Sequence, residues 1–294
     1  MFKKIGYHMV RLLSAPKNLA WRALEIPLLP KGIVFMITDR CNSRCAHCSI
    51  WQQKPAVDPL TPQEIEKVFS DRLFRNVRYV ICTGGEPSVR DDLGEILLSL
   101  HRALPQATLQ LSTNGLLAQR VLSVVRSALE NGIDLEVGVS LDGIGDIHDT
   151  IRGVPGNFQK ADFLLHQLAE MRTQYPGRLK VAAGIVVSDL TKDSIYRVRE
   201  YARGLSIELV EAWYNISSFY HNASQTGKLN LKEEITRVVE TQPPSLMRQR
   251  WLAWLKTGTL RFPCFAAQTF CVVKCNGDMV PCLNLWEDAF GSVR

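Results

Sequence analysis

Three cysteines lie close together in the pattern Cys41-x-x-x-Cys45-x-x-Cys48, directly after a short apolar run. Thiolates at this spacing can bind three irons of a cubane cluster and leave the fourth iron open to a small ligand. Zinc is the alternative, but a structural zinc site normally takes four protein ligands. His47 is wedged between Cys45 and Cys48 and is poorly placed to complete a tetrahedron. The motif therefore favours an iron–sulfur cluster with an open iron over zinc.

Polar and glycine-rich segments follow the next three apolar runs of the chain. They are Thr83-Gly84-Gly85-Glu86-Pro87, Ser112-Thr113-Asn114-Gly115, Ser140-Leu141-Asp142-Gly143 and, after the last of these, His148 to Gly153 with Arg152. Paired glycines let a backbone approach a ligand closely, and an arginine can pair bidentately with a carboxylate. Any one of these residues alone is typical of a turn or a solvated charge. Their recurrence at successive strand ends predicts one shared ligand site.

The elements that would position these residues alternate between strand and helix. Apolar runs predict six strands, at 32–37, 77–82, 109–112, 135–141, 180–187 and 207–213. Helical patterns lie between them, at 61–69, 93–104, 117–130, 158–173 and 194–203. The first helix carries a capping box, with Thr61 as cap, Pro62 at the first position and Glu64 reaching back. This order predicts an α/β fold with a parallel sheet, open or rolled into a partial barrel, and its chemistry at the strand ends.

Composition limits the protein classes that fit. The chain has 294 residues, of which 46% are hydrophobic and 22% charged, and Lys and Arg number 35 against 29 Asp and Glu. This basic excess is too small and scattered to indicate nucleic acid as a partner. Seven of the eight cysteines fall in two tight clusters, a poor disulfide framework for a chain of this size. The pattern favours thiolate–metal chemistry in a reducing cytoplasm.

In these segments the chain resembles the radical S-adenosylmethionine (SAM) superfamily over residues 32–215. The resemblance implies a partial (β/α)6 TIM-type barrel in which Cys41, Cys45 and Cys48 hold a [4Fe–4S] cluster. It implies that the Gly-Gly-Glu-Pro turn holds the methionyl amine of SAM. The SAM-binding residues carried over from the superfamily motifs are His47, Gly84, Gly85, Glu86, Pro87, Ser112, Asn114, Ser140, Asp142 and Arg152. His47 departs from the pattern, because this position is usually aromatic.

The resemblance implies an enzyme that takes one electron from a donor such as flavodoxin or ferredoxin. It would cleave SAM to methionine and a 5′-deoxyadenosyl radical, which abstracts hydrogen from a substrate. A peptide or protein is the favoured substrate, as in maturases, and a small molecule or a lipid is the alternative. A non-catalytic iron–sulfur or zinc scaffold is a further reading, against which the intact Gly-Gly-Glu-Pro turn counts.

Four more cysteines lie near the end of the chain: Cys264, Cys271, Cys275 and Cys282. The Asn276-Gly277-Asp278 turn between apolar residues predicts a β-hairpin. The spacing of Cys264, Gly277 and Cys282 resembles the opening of a SPASM or twitch extension, which implies an auxiliary cluster with Cys264 and Cys282 as best ligands.

A full SPASM domain has further cysteines downstream, so the chain is either a fragment or has a shortened extension that recruits Cys271 or Cys275. Alternatively, some of these cysteines are free thiols. Cys82, inside a strand, is expected to be a buried small residue.

Three regions are therefore expected. Residues 1–29 form a basic, amphipathic helical segment, residues 30–222 the radical SAM core, and residues 223–294 the SPASM/twitch-like, cysteine-rich extension of hairpin and helix. Packing on the protein itself is the favoured role of the first segment. Peripheral contact with a membrane surface through residues 1–25 is the alternative.

Overall fold

The computed structural model describes residues 29–53, 58–222, 236, 239–240, 246–258, 266 and 269–294. Its centre is a sheet of parallel strands in chain order. The first six strands are β1 (Gly32–Thr38), β2 (Tyr79–Gly84), β3 (Thr108–Thr113), β4 (Leu135–Ser140), β5 (Leu179–Val187) and β6 (Glu208–Trp213). Each pairs in parallel with the next, so the carboxyl ends of all six lie at one edge.

Helices connect these strands, as parallel pairing requires. They are α1 (Pro62–Phe69), α2 (Leu93–Ala103), α3 (Ala118–Glu130), α4 (Asp146–Arg152), α5 (Asn157–Gln174) and α6 (Ile195–Gly204). A further helix, α7 (Leu246–Thr257), lies later in the chain. The helix-facing side chains of the strands form one continuous core, in which Phe35 of β1 packs edge-on against Phe69 of α1 with ring centroids 5.2 Å apart.

The two faces of the sheet differ in exposure. Along β3 and β4, buried side chains alternate strictly with half-exposed ones, because one face packs on helices and the other faces the inside of the partial barrel. All seven residues of β1 are buried. Its inner face is covered as well, since Val34 and Met36 pack with Phe219. The barrel is therefore filled beside β1 and open to solvent towards the later strands.

The C-terminal residues extend the sheet. Strand β7 (Phe270–Val273) pairs in parallel with β1, and β8 (Asp278–Val280) pairs with β7 as an antiparallel hairpin. A short β9 (Gly291–Ser292) follows, giving the order β6-β5-β4-β3-β2-β1-β7-β8-β9. The hairpin predicted from Asn276-Gly277-Asp278 is confirmed, with Gly277 at a φ of 95°. Its pairing with β1 was not predicted.

The predicted fold class is confirmed, as are its six strands and the five helices between them. The bounds differ by no more than two residues, as is usual at element ends. Helix α4 was not predicted, because its seven residues are too few to show an apolar period. Its end is nevertheless marked in the sequence, since Gly153 caps it at a φ of 66°.

The amphipathic segment predicted for residues 1–29, with its membrane contact, lies almost wholly outside the described residues. Within the part that is described, no helix combines the length and apolar character needed to cross a bilayer.

The capping box of α1 gives a test of local structure. The Thr61 hydroxyl accepts a hydrogen bond from the Glu64 amide at 3.2 Å, and the Glu64 carboxylate accepts one from the Thr61 amide at 2.9 Å. Thr61→Ala removes the first bond, so we expect the free energy of unfolding to fall by about 1 kcal/mol in urea titrations. Gln63→Ala, at an exposed neighbouring position, should change it by less than about 0.5 kcal/mol. Equal effects of the two substitutions would show that the cap contributes nothing.

Candidate active site

The cysteine loop runs from Asp39 to Ser49, between β1 and a short turn of 3-10 helix, and is held by backbone hydrogen bonds to the end of α4. The amides of Arg44 and Ala46 donate to the carbonyl oxygens of Arg152 and Ile151 at 3.0 and 2.8 Å. The Ser43 hydroxyl also donates to the Arg152 carbonyl, at 3.2 Å. A short helix far along the chain thus fixes the middle of the loop, where Cys45 lies.

The paired glycines after β2 hold the start of the loop. The amides of Gly85 and Glu86 donate to the carbonyl oxygens of Thr38 and Arg40, both at 2.8 Å. A Cβ atom on Gly84 would lie 2.2 Å from the Thr38 oxygen, and one on Gly85 would lie 2.1 Å from the Arg40 oxygen. Gly84 also has a φ of 143°, in the region that side chains disfavour. This approach of two backbones requires glycine at both positions.

Glu86 ties this turn to the end of β3. One carboxylate oxygen accepts hydrogen bonds from the amide and hydroxyl of Ser88 and from the Thr113 hydroxyl, and the other accepts one from the Asn114 amide at 2.7 Å. The side chain is almost fully buried. Burial raises the pKa of Glu86, although these bonds favour its charged form. Glu86 therefore acts from within the protein, as a link between two strand ends.

The ends of β4 and α4 contribute a buried ion pair. The Arg152 guanidinium lies 2.7 Å from Oδ2 of Asp142, and Oδ1 of Asp142 accepts a hydrogen bond from the Val186 amide at 2.9 Å. Burial alone would raise the pKa of Asp142, but Arg152, His47 and the Val186 amide together hold it below its ordinary value. His47 has its Nε2 3.8 Å from Asp142, and burial lowers its pKa to about 4.

A cavity of about 200 Å³ lies at this edge of the sheet. Most residues predicted for the site line it: Cys41, Cys45, His47, Cys48, Gly84, Gly85, Glu86, Ser112, Asn114, Ser140 and Arg152. Pro87 and Asp142 do not line it. Pro87 begins a short turn of 3-10 helix behind the glycines, and Asp142 supports Arg152 from below the surface.

Sequence reasoning missed one wall of the cavity, which is formed by Trp213, Tyr214, Asn215 and Tyr220 at the end of β6 and in the following loop. Asn222 fastens this loop to the cysteine loop, because its side-chain amide donates to the carbonyl oxygen of His47 at 3.3 Å. The sequence does indicate this wall, because Trp213 and Tyr214 lie at the end of the predicted sixth strand.

The three thiols fit a cubane cluster. All three line the cavity, and burial raises the pKa of Cys41 to about 12 and that of Cys48 to about 11. These groups would therefore keep their protons near neutral pH unless a metal replaced them. In the described residues, no three His, Cys, Asp or Glu side chains converge as ligands of a single metal ion. A cubane needs no such convergence, since each thiolate binds a different iron.

The three described C-terminal cysteines, Cys271, Cys275 and Cys282, lie on or beside the β7–β8 hairpin. Cys271 on β7 packs in the helix-side core, in register with Ile33 of β1. Cys275 lies in the turn of the hairpin, and its carbonyl oxygen accepts a hydrogen bond from Leu60. Cys282 is half-buried after β8, and Cys264 lies outside the described residues. Cys82 is fully buried, as predicted.

The contact between the glycine turn and the loop can be tested by Gly85→Ala. The added methyl group would meet a backbone oxygen, so the loop must move. We expect the free energy of unfolding to fall by about 2 kcal/mol or more, and iron retained after reconstitution to fall as well. Gly94→Ala in α2 is the control, since no atom lies within 4 Å of its added Cβ. Full iron retention in Gly85→Ala would contradict the role given to this contact.

Comparison with known proteins places this geometry in a family. The model of the Radical SAM superfamily matches residues 35–187, just over half of the chain. The chain is 33% identical over 141 residues to the Fe-coproporphyrin III synthase of Methanosarcina barkeri, covering 47% of this chain and 34% of that protein. It is 37% identical over 134 residues to the pre-heme d1 synthase of Dinoroseobacter shibae, covering 45% and 32%. The chain thus spans about a third of the length of these curated relatives.

Among solved structures, the fold is similar to that of Streptococcus suis SuiB bound to the precursor peptide SuiA. The TM-score is 0.68 at 16% identity, and the match covers 96% of this chain and 66% of that one. At this identity the likeness concerns the fold. The family match, which runs from the strand before the three thiols through β5, shows that this chain belongs to the radical SAM superfamily of enzymes, whose members use a [4Fe–4S] cluster and S-adenosylmethionine.

Proposed function

We propose that the protein binds a [4Fe–4S] cluster through Cys41, Cys45 and Cys48 and cleaves SAM reductively. The observation that carries this proposal is the convergence of the three thiols, the Gly84–Gly85 turn and Arg152 on one cavity. When bound, the cluster would supply one electron to the sulfonium of SAM, giving methionine and a 5′-deoxyadenosyl radical that takes a hydrogen atom from the substrate. A scaffold protein would need the glycine turn to hold the cysteine loop, but it would not need Arg152 and the polar strand ends that line the same cavity.

The backbone of the glycine turn suits a methionyl amine. The amides of Gly85 and Glu86 already donate to Thr38 and Arg40. An amine is itself a donor, so the carbonyl oxygens of the turn would receive it. The role proposed for Glu86 is to keep those carbonyls in place through its bonds to Thr113 and Asn114.

The remaining groups suit the carboxylate and the nucleoside. The Nε atom of Arg152 is buried and has no hydrogen-bond partner among the described residues, which makes the guanidinium suitable for the methionyl carboxylate. Ser112, Asn114 and Ser140 at the cavity wall would bond to the ribose or to amino groups. His47 and Pro87 would shape the backbone of the site. Asp142 would act by pairing with Arg152.

We propose a peptide or protein as the substrate. The barrel is open towards β6, and Trp213, Tyr214 and Tyr220 are among the residues that line the cavity there. The similarly folded SuiB is known in complex with a precursor peptide. A tetrapyrrole-like small molecule is the second candidate. It is favoured by the 33% and 37% identity to two curated relatives named as synthases of haem-type molecules, which exceeds the 16% identity to SuiB.

We further propose a core domain at residues 30–222, with 1–29 and 223–294 as flanking regions, and an auxiliary cluster in the last of these. Cys264 and Cys282 are its proposed ligands. Cys275 is a weaker candidate, and Cys271 the weakest, because its side chain packs in the helix-side core. A flavodoxin or ferredoxin would supply the electron. The free thiols of the described cysteines fit a reducing cytoplasm.

The proposed activity can be tested with anaerobically reconstituted protein and dithionite. We expect 5′-deoxyadenosine from SAM, and we expect Cys45→Ala to abolish it by removing one cluster ligand. Cys82→Ala, which alters a buried thiol in the helix-side core, is the matched control and should retain most activity. If the wild type loads a reducible cluster but gives no product and binds no SAM in calorimetry, the scaffold reading replaces this proposal.

The auxiliary cluster is tested by iron content. We expect about eight irons per reconstituted wild-type chain if both clusters are of the [4Fe–4S] type, and about four after Cys264→Ala with Cys282→Ala. The Cys271→Ala variant should keep the wild-type content. A wild-type content of only about four irons, lost on Cys45→Ala, would refute the auxiliary cluster and leave the first one intact.

A further inference from the structure

Arg152 contacts one of the three thiols as well as Asp142. Its Nη1 atom donates to Sγ of Cys45 at 3.7 Å, within the range of hydrogen bonds to sulfur, while Nη2 faces Asp142 at 2.7 Å. Both side chains of the ion pair are almost fully buried. A buried positive charge is therefore held beside a cluster ligand at the wall of the cavity.

Backbone contacts hold the Arg152 residue next to the cysteine loop. The carbonyl oxygen of Arg152 accepts hydrogen bonds from the Arg44 amide and the Ser43 hydroxyl, on the residues just before Cys45. The next residue, Gly153, approaches so closely that a Cβ there would lie 2.4 Å from the Arg44 oxygen. The backbone of Arg152 therefore stays next to the residues before Cys45, and the ion pair with Asp142 sets the direction of its guanidinium.

Asp142, the partner of Arg152 in the ion pair, is also held by hydrogen bonds. Asp142 accepts a hydrogen bond from the Val186 amide at 2.9 Å, and its own amide donates to Nδ1 of His148 at 3.1 Å. Its carboxylate pairs with Nη2 of Arg152, whereas Cys45 is contacted by Nη1. Asp142 therefore weakens the field of Arg152 at the sulfur, while it fixes the direction in which the guanidinium points.

We propose that Arg152 is a positioning residue that raises the reduction potential of the cluster through Cys45, and that Asp142 limits this effect. The inference rests on the proposed binding of the cluster by Cys41, Cys45 and Cys48. Reduction adds one electron from an external one-electron donor to the cluster and breaks no bond. The reduced form carries more negative charge, so a nearby cation and a hydrogen bond to sulfur stabilise it.

This role differs from binding the methionyl carboxylate, and the difference can be measured. A residue that acts only on SAM would change SAM affinity and leave the potential of the SAM-free cluster unaltered. A residue that acts through Cys45 shifts that potential before any SAM is added. The readout is therefore the midpoint potential of the SAM-free, reconstituted protein, followed by electron paramagnetic resonance in a dithionite titration with mediators.

We expect Arg152→Gln to shift the midpoint to a more negative potential, and Arg152→Lys to keep more of the wild-type value because it keeps the charge. Arg44→Gln is the matched control. It removes the same charge from the residue next to Cys45 in sequence, but from an exposed position where water screens it. Its shift should be much smaller. An unchanged potential in Arg152→Gln, or an equal shift in Arg44→Gln, would overturn the inference.

Asp142→Asn supplies a test of opposite sign. Asn keeps a side-chain oxygen that can accept a hydrogen bond from Arg152 but removes the opposing charge, so the midpoint should move to a more positive potential. If Arg152→Gln retains no cluster, the inference is decided by Asp142→Asn. An unchanged or more negative midpoint potential in Asp142→Asn overturns it. Iron and sulfide content is measured for each protein. A wild type that loads no cluster refutes the proposed function itself, whereas a loaded wild type with unshifted variants refutes only the role of Arg152.

Discussion

The loop that carries Cys41, Cys45 and Cys48 has no regular secondary structure, so its shape depends on backbone hydrogen bonds from two neighbouring segments. The glycine turn after β2 binds its start, and the end of α4 binds its middle. Both contacts join backbone to backbone, and both need glycine because a Cβ would strike a carbonyl oxygen. The site can exist only where β1, β2 and α4 meet, which the parallel order of the sheet ensures.

The same arrangement brings electrostatic groups to the site. Burying Asp142 and Arg152 is costly unless they pair with each other and keep their hydrogen bonds, and here they satisfy both conditions in large part. Cys41, Cys45 and Cys48 line one cavity, so the loop presents three thiol ligands on the same side. Glu86 is also a buried charged group that keeps its hydrogen bonds. Its carboxylate joins the ends of β2 and β3 without reaching solvent.

The strands and most helices could be predicted, because apolar periods are local properties of the sequence. The residues proposed for the site came from motifs at the strand ends that resemble those of the superfamily. Helix α4 could not be predicted, since seven residues show no period. The pairing of β7 with β1 joins residues far apart in the chain, and nothing local encodes it. The contact between Arg152 and Cys45 is likewise long-range. The motif marked Arg152 as a residue that binds a ligand, whereas the fold also places it against Asp142 and a thiol.

If Cys41, Cys45 and Cys48 hold the cluster as proposed, one iron stays open beside the glycine turn. Electron paramagnetic resonance of the reduced, reconstituted protein tests it most directly, with spectra recorded before and after addition of SAM. A ligand that binds to an open iron alters the electronic structure of the cluster, so we expect a changed set of g values at saturating SAM. Identical spectra, with SAM binding verified by calorimetry, would show that SAM does not reach the cluster and would contradict the proposed open iron.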